Sequence, residues 1–545
     1  MESAGNQKVW KRSSKFIAAS SVTAFALTAC GGDGSAGGGG GGEETLIIGI
    51  ESEADVLDPQ VAGGWVTWRI NSQMYESLVT HDLQTPSEEA PVPEIQPGLA
   101  ESWEVSDDGL EYTFNIREGV QFHDGTDLDA EAVEYNIRRM WDEDSPQYSA
   151  AAAGQTNFVW QYVEEVESVD EHTVVITMSQ PFSPFLRMLA QGGNGSTGII
   201  SPAALEEHGE DIAENPAGTG PFVFEERVRG ESITLTRNED YWGDNAELEG
   251  VIFRPIPDAA GRTSAIRNGE VDVIAVPSPD SVDALVEEGF QLSDGTPPHV
   301  WYLYFNMEDE YMSIPEVRQA INLAIDREGM AENLLQGTAD PAHDVQAPAN
   351  DAYVERTDAY ERDLDRAQEL LEEAGLEDGF STSLMTSVDG SGQIVPAPMA
   401  EAIQQDLAEI GIDLEIETME WISYLGRWAE GAQDMGMMQM SWGMDTPYWL
   451  YIVTSTDMIA PDGPNTGYYS NPELDEVMEQ AITATDEDEA NEYWQQANEI
   501  VTEDAALAPI VNDRAPYILA PEVEGWVSAS QEWYDLTGVS LNWED

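Results

Sequence analysis

Leu99-Ala100-Glu101-Ser102-Trp103, Asp108-Gly109, Tyr112-Thr113-Phe114, the stretch from Arg117-Glu118-Gly119 through Phe122-His123-Asp124-Gly125, and Ala130-Glu131-Ala132-Val133 follow one another within 35 residues, and this run decides the fold. Tyr112, Phe114 and Ile116 alternate over 111–117, the period of two expected of a half-buried strand. Asp108-Gly109 just before it predicts a hairpin turn. Asp129 precedes Val133, Ile137 and Met140 at helical spacing and reads as the N-cap of a helix. A two-residue period that hands over to a 3.6-residue period is a mixed α/β pattern.

The same alternation continues on either side. Thr45–Ile50 is a short apolar run consistent with a buried strand, and Thr173–Met178 and Ser232–Arg237 are further strand candidates. Ser201-Pro202 marks a helix start. Helices are expected at 315–325, 364–374, 397–410, 472–481 and 489–502, with strands at 412–418 and 437–440. No internal repeat and no coiled-coil heptad interrupts the series. The chain has 545 residues, 41% of them hydrophobic, enough for two to four domains around a substantial core.

Nothing in the chain assembles a catalytic constellation. Gly193, Gly195 and Gly198 have the GxGxxG spacing, but no strand leads into them and the next helix starts too late for a dinucleotide site. The six histidines (His81, His123, His172, His208, His299 and His343) are scattered without metal-ligand spacing, so zinc is not expected. Neither GxSxG nor HExxH occurs. The acids at 486–489 read as a solvated helix start.

Further motifs stand in order after the first run. They are Gly218-Thr219-Gly220-Pro221-Phe222, Asn238 with Tyr241-Trp242, Arg267-Asn268-Gly269-Glu270-Val271-Asp272-Val273, and Phe305-Asn306. Val317-Arg318-Gln319-Ala320 leads to Ala324-Ile325-Asp326-Arg327, and helical stretches at 367–375 and 407–412 follow. Together these residues resemble the extracellular solute-binding proteins of ATP-binding-cassette importers, the peptide, dipeptide and nickel family. The resemblance covers about 45–543; one departure is Ala132, where the family usually has an acid. It implies an α/β, two-lobed periplasmic-binding-protein-like fold with a hinge and an extra inserted domain. The implied first lobe is discontinuous, 45–80 with 218–285 and 513–545; the inserted domain is 81–217 and the second lobe 286–512. It implies a protein that closes around a small-molecule solute, carries no cofactor, docks as a monomer on two membrane permease subunits with their ATPases, and is not an enzyme.

The solute is less legible. In peptide-binding relatives a Trp-x-x-Asp after a strand carries the acid that pairs with the peptide's α-ammonium. Trp442 and Asp445 match it, although Tyr448-Trp449 stand where those relatives often have Asp-Pro. A solvated loop acid is the plainer account of Asp445. An arginine for the peptide carboxylate is not evident, and Arg356 is a loose candidate. Trp301, Tyr302, Trp442, Tyr448, Trp449 and Trp65 are candidate stacking residues for peptide side chains or sugar rings, with core packing as their ordinary alternative. An oligopeptide or dipeptide is the leading expectation, an oligosaccharide second, a nickel chelate third. A secreted acidic hydrolase or an adhesin is the alternative from another class.

The N-terminus reads as an address. Lys8, Lys11, Arg12 and Lys15 precede an apolar run at 16–29, too short to span a bilayer, and Leu27-Thr28-Ala29-Cys30 resembles a lipoprotein cleavage box. Residues 1–29 are therefore expected to be a lipoprotein signal peptide, Cys30 the lipidated residue, and 30–44 a glycine-rich tether at the outer face of the cytoplasmic membrane. A plain signal peptide with an incidental cysteine is the alternative. Four of the 22 basic residues and one of the 105 acids precede Cys30, leaving 18 and 104 and a net charge of about −86. That excludes nucleic acid as a partner, since phosphates would be repelled. It fits adaptation of the surface to high salt or attraction of cationic solutes.

Two outcomes follow. Cys30→Ala is expected to move the protein from the membrane fraction to the medium; unchanged retention would refute lipidation. With a Debye length of roughly 30 Å at 0.01 M and about 3 Å at 1 M, the melting midpoint is expected to climb steeply with NaCl over that range. A flat midpoint would remove salt adaptation.

Overall fold

Among residues 44–193, 196–390, 392–443, 446–529 and 533–542, which the computed structural model describes, β-branched runs become strands and Asp, Ser and Pro begin the helices. Cys30, the tether before Glu44, Gly195 and Asp445 lie outside the described residues. Thr45–Ile50 buries Leu46, Ile48 and Ile50 and pairs in parallel with Gly250–Pro255 on one side and Val273–Ala275 on the other. The sheet around it has seven strands. Beyond Gly250–Pro255 lie Ser232–Arg237 and Phe222–Val228; beyond Val273–Ala275 lie Tyr517–Leu519 and Gln291–Ser293. One sheet thus draws on the beginning, middle and end of the chain. Gln291–Ser293, numbered beyond the implied 285 boundary, pairs inside this sheet.

A second sheet of six strands runs Ala339–Pro341, Leu507–Asp513, His299–Phe305, Met437–Gly443, Phe380–Ser387, Ile412–Met419. His299–Phe305 is buried at every position, the pattern of a central strand covered on both faces. A third, antiparallel sheet of four strands contains the opening motif. Ala100–Val105 and Glu111–Ile116 form its hairpin, turned by Gly109 at φ 68°, and Thr173–Met178 and Val163–Asp170 complete it. Helix Ala130–Trp141 follows, its first turn capped by the Asp129 carboxylate, which accepts from the Ala132 amide at 2.8 Å.

The five expected helices are found with ends within two residues, as Pro315–Ala324, Leu364–Glu373, Pro396–Glu409, Pro472–Thr483 and Glu487–Glu503. The strand expected at 437–440 runs on to Gly443, because Trp442 and Gly443 still pair with Val300 and His299. Among the described residues, no helix is long and apolar enough to cross a membrane.

The chain passes from the seven-stranded to the six-stranded sheet at 294–298 and returns at 514–516. Arg514 ties the crossings together. It grips both carboxylate oxygens of Asp340 (2.9 and 2.8 Å) and lies 3.7 Å from Asp294. A second tie explains several motifs at once. Glu76 accepts hydrogen bonds from Thr219 Oγ1 (2.7 Å), Tyr241 Oη (2.8 Å) and Trp242 Nε1 (2.8 Å), and the Arg117 guanidinium stacks over the Trp242 ring at 4.2 Å. Gly218 and Gly220 are needed here, since a Cβ on either would fall within 2.9 Å of the Met74 carbonyl. Desolvation pushes the Glu76 carboxyl up to about 7 despite those donors.

Candidate functional site

Helix Trp65–Asn71 begins without a side-chain cap, directly after Gly63 and Gly64. Its first residue projects Trp65 from the seven-stranded sheet's side onto the six-stranded sheet. The Trp65 ring meets His299 edge-on at 5.0 Å, Trp68 at 5.4 Å and Trp533 at 5.7 Å. It lies flat enough on Gly443 that a Cβ there would come 2.6 Å from Trp65 Cζ2; a Cβ on Gly392 would come 3.2 Å from Trp65 Cδ1.

One residue before Gly443, Trp442 turns to the opposite face of the sheet and packs on Trp449 at 6.0 Å. Trp449 in turn packs on Phe158 at 5.3 Å. Phe158 and Gln155 are one turn apart on helix Ala150–Trp160, and Gln155 reaches back to Gly63, where a Cβ would sit 3.6 Å from its amide. The circuit Trp65, Gly443, Trp442, Trp449, Phe158, Gln155, Gly63 therefore closes on itself with members from beside all three sheets. Trp65, Trp442, Trp449 and Phe158 keep part of their surface exposed. Aromatic walls of this kind bind by area and by stacking on flat groups.

The sequence candidates divide accordingly. Trp65, Trp442 and Trp449 come together. Trp301, Tyr302 and Tyr448 are fully buried and form packing behind that wall. Trp301 belongs to the core between the six-stranded sheet and its helices. Tyr302 donates to the Val345 carbonyl at 2.6 Å, and Tyr448 packs against Phe182 at 5.2 Å. Their strand or helix is covered on both faces, so aromatic composition does not separate wall from core. Arg356 is occupied too: it pairs with Asp344 at 3.2 Å, whose carboxyl desolvation still raises to about 6. Phe158, Trp533, His299, Gln155 and the glycines were not picked out from the sequence; they converge from distant segments that no local period links. Among the described residues no cluster of three or more His, Cys, Asp or Glu is arranged to hold a metal ion.

A cavity of about 860 Å³ opens elsewhere, between the 106–109 turn and helix Glu487–Glu503. Its wall is rich in carboxylates such as Asp107, Asp351, Asp486 and Glu487, with Arg187 paired to Asp351 at 3.2 Å. Val92, Ile95, Phe182, Leu186 and Trp494 also line it, so the groove is apolar as well as charged.

Two large sheets joined by a double crossing, with a four-stranded antiparallel sheet beside them and helices around all three, form a mixed α/β fold of the periplasmic-binding-protein type. The model for bacterial extracellular solute-binding proteins, family 5, matches residues 94–459, and the chain belongs to that family. It is 29% identical over 482 residues to the glutathione-binding protein GsiB of Escherichia coli O1:K1, covering 86% of this chain and 89% of that one. The GsiB of Salmonella paratyphi A is 30% identical over 484 residues, with the same coverage. Among solved structures, the binding protein DppA of Helicobacter pylori in complex with the peptide STSA superposes with a TM-score of 0.80 at 28% identity, covering 91% of this chain and 98% of that one. The dipeptide-binding protein of Pseudoalteromonas sp. SM9913 in complex with Met-Leu gives 0.80 at 25% identity, covering 91% and 100%. This chain is thus a solute-binding protein of an ATP-binding-cassette importer and not an enzyme.

The contact of Trp65 with Gly443 is testable. Added methyl groups at a packed contact cost about 1–3 kcal/mol, so Gly443→Val is expected to hold the two sheets apart. Small-angle scattering should give a larger radius of gyration than the parent, and Trp65→Ala in the same chain should reverse it. A radius equal to the parent's in Gly443→Val would refute the contact as a closing surface.

Proposed function

We propose that the solute is an oligopeptide or dipeptide enclosed by Trp65, Trp442 and Trp449, with Asp445 pairing its free α-ammonium. The observation that carries the reading is the closed aromatic circuit around Gly443, two residues before Asp445. The peptides bound by two of the similar solved proteins support it. The lobes are proposed to hinge at 294–298 and 514–516, with 81–217 as the inserted domain. The chain is proposed to be tethered by lipid on Cys30 at the outer face of the membrane, and to work there as a monomer with two permease subunits and their ATPases. The flat indole walls favour an oligosaccharide as the second reading.

In a shut, water-poor cleft an ammonium–carboxylate pair is stronger than at a surface, and removing one partner of such a pair costs about 3–5 kcal/mol. Asp445→Asn is therefore expected to weaken a peptide with a free N-terminus by roughly two to three orders of magnitude. N-acetylation should weaken binding to the parent and cost the variant much less. Equal affinity for free and acetylated peptides in titration calorimetry would refute the ammonium pairing. Binding of a cello- or xylo-oligosaccharide in place of any peptide would turn the assignment to sugar.

A further inference from the structure

After Lys15 the chain has no lysine, and its 18 remaining basic residues are all arginine. All 18 lie among the described residues, so the cations available to any solute can be accounted for one by one. Thirteen pair with a carboxylate within 4 Å. The other five, Arg117, Arg254, Arg262, Arg318 and Arg327, donate to backbone carbonyls. Arg69, one turn after Trp65, donates from Nε to the Trp65 carbonyl at 3.4 Å. It is buried and holds Glu51 at 2.9 Å and Tyr517 Oη at 2.7 Å. Arg514, beside Trp533, is held by Asp340.

Two neutral donors in or beside the circuit are unmet. Among the described residues, the indole Nε1 of Trp442, in the circuit, and that of Trp533, which packs on Trp65, are buried without a hydrogen-bond partner, and Trp533 is 3% exposed. An indole N–H only donates, so its complement is an oxygen of the solute. A carbonyl or hydroxyl satisfies it without bringing a charge that must be desolvated.

We infer that this chain meets the oxygens of its solute with the neutral N–H donors of Trp442 and Trp533 and clamps no carboxylate with a cation, so that its solutes are neutral or net cationic. The inference rests on the reading that the aromatic circuit encloses the solute, and it holds for a peptide or a sugar alike. The excess of acids over the whole chain acts in the same direction at long range, repelling anions on approach.

The test is titration calorimetry at 1 M NaCl, where the long-range field is screened to about 3 Å and the local chemistry remains. Two matched pairs of probes serve: tri-alanine against its C-terminal amide, and cellotriose against the acid made by oxidising its reducing end. In whichever pair binds, the form without the carboxylate is expected to bind within threefold of its partner or tighter. A tenfold or greater preference for the carboxylate form overturns the inference. Heat from the sugar pair alone removes the peptide reading and leaves the same ratio to decide this one. Trp533→Phe keeps a ring and removes the donor, and is expected to weaken the uncharged probe about fivefold or more; unchanged affinity in both Trp533→Phe and Trp442→Phe overturns the donor assignment. Should neither pair bind, solute released from the host-purified protein by denaturation and weighed by mass spectrometry decides. A neutral or cationic species supports the inference, and an anionic one overturns it.

Discussion

Two short crossings, 294–298 and 514–516, lie side by side as covalent joints between the two large sheets, and the placing of one sheet against the other depends on them. Relative motion about two adjacent joints is a rotation, not a translation. Arg514 reinforces the geometry by holding Asp340 on one sheet's edge strand and approaching Asp294 on the other crossing. Trp533 touches the same region and also packs against Trp65, so the joint and the aromatic circuit share a side chain. A solute that draws Trp65 onto Gly443 would therefore be felt at the crossings through one ring, with no longer path required.

The motifs that gave away the family are mostly structural. Thr219, Tyr241, Trp242 and Arg117, spread over more than a hundred residues, converge around Glu76 and tie the chain that leaves the four-stranded sheet to the segments flanking the seven-stranded sheet. Such a carboxylate, satisfied by three neutral donors, specifies one arrangement because any other would leave a buried acceptor unmet. Arg318 and Arg327 behave alike: each spends its guanidinium on backbone carbonyls of neighbouring segments, as Arg327 does for Pro509 and Asn322.

What the sequence made legible followed local period. The strands Thr45–Ile50, Thr173–Met178 and Ser232–Arg237, and the caps at Asp129, Ser201 and Asp486, stand where alternation and capping chemistry put them. The site was half legible. Trp442 could be found because it begins a Trp-x-x-Asp that matches the peptide-binding pattern, and Trp65 because it stands just after the first strand. Trp301 and Tyr302 could not be told from wall residues, since a strand buried on both faces has no polar side to give the register away. Phe158, Gln155 and Trp533 had no local signal, because they meet the other aromatic residues through contacts between segments far apart in sequence.

The arginine accounting has a consequence for the protein's life outside the cell. Beyond residue 15 the chain offers serine proteases of tryptic specificity only arginine to cut after, and amine-directed chemistry no side chain at all. Each of the 18 guanidinium groups after Lys15 is already bound within the fold, so presenting one to a protease means first breaking its ion pair or its carbonyl bonds. Cleavage in the native state is thereby coupled to local opening, and the same pairs that balance an acidic chain also guard its scissile bonds.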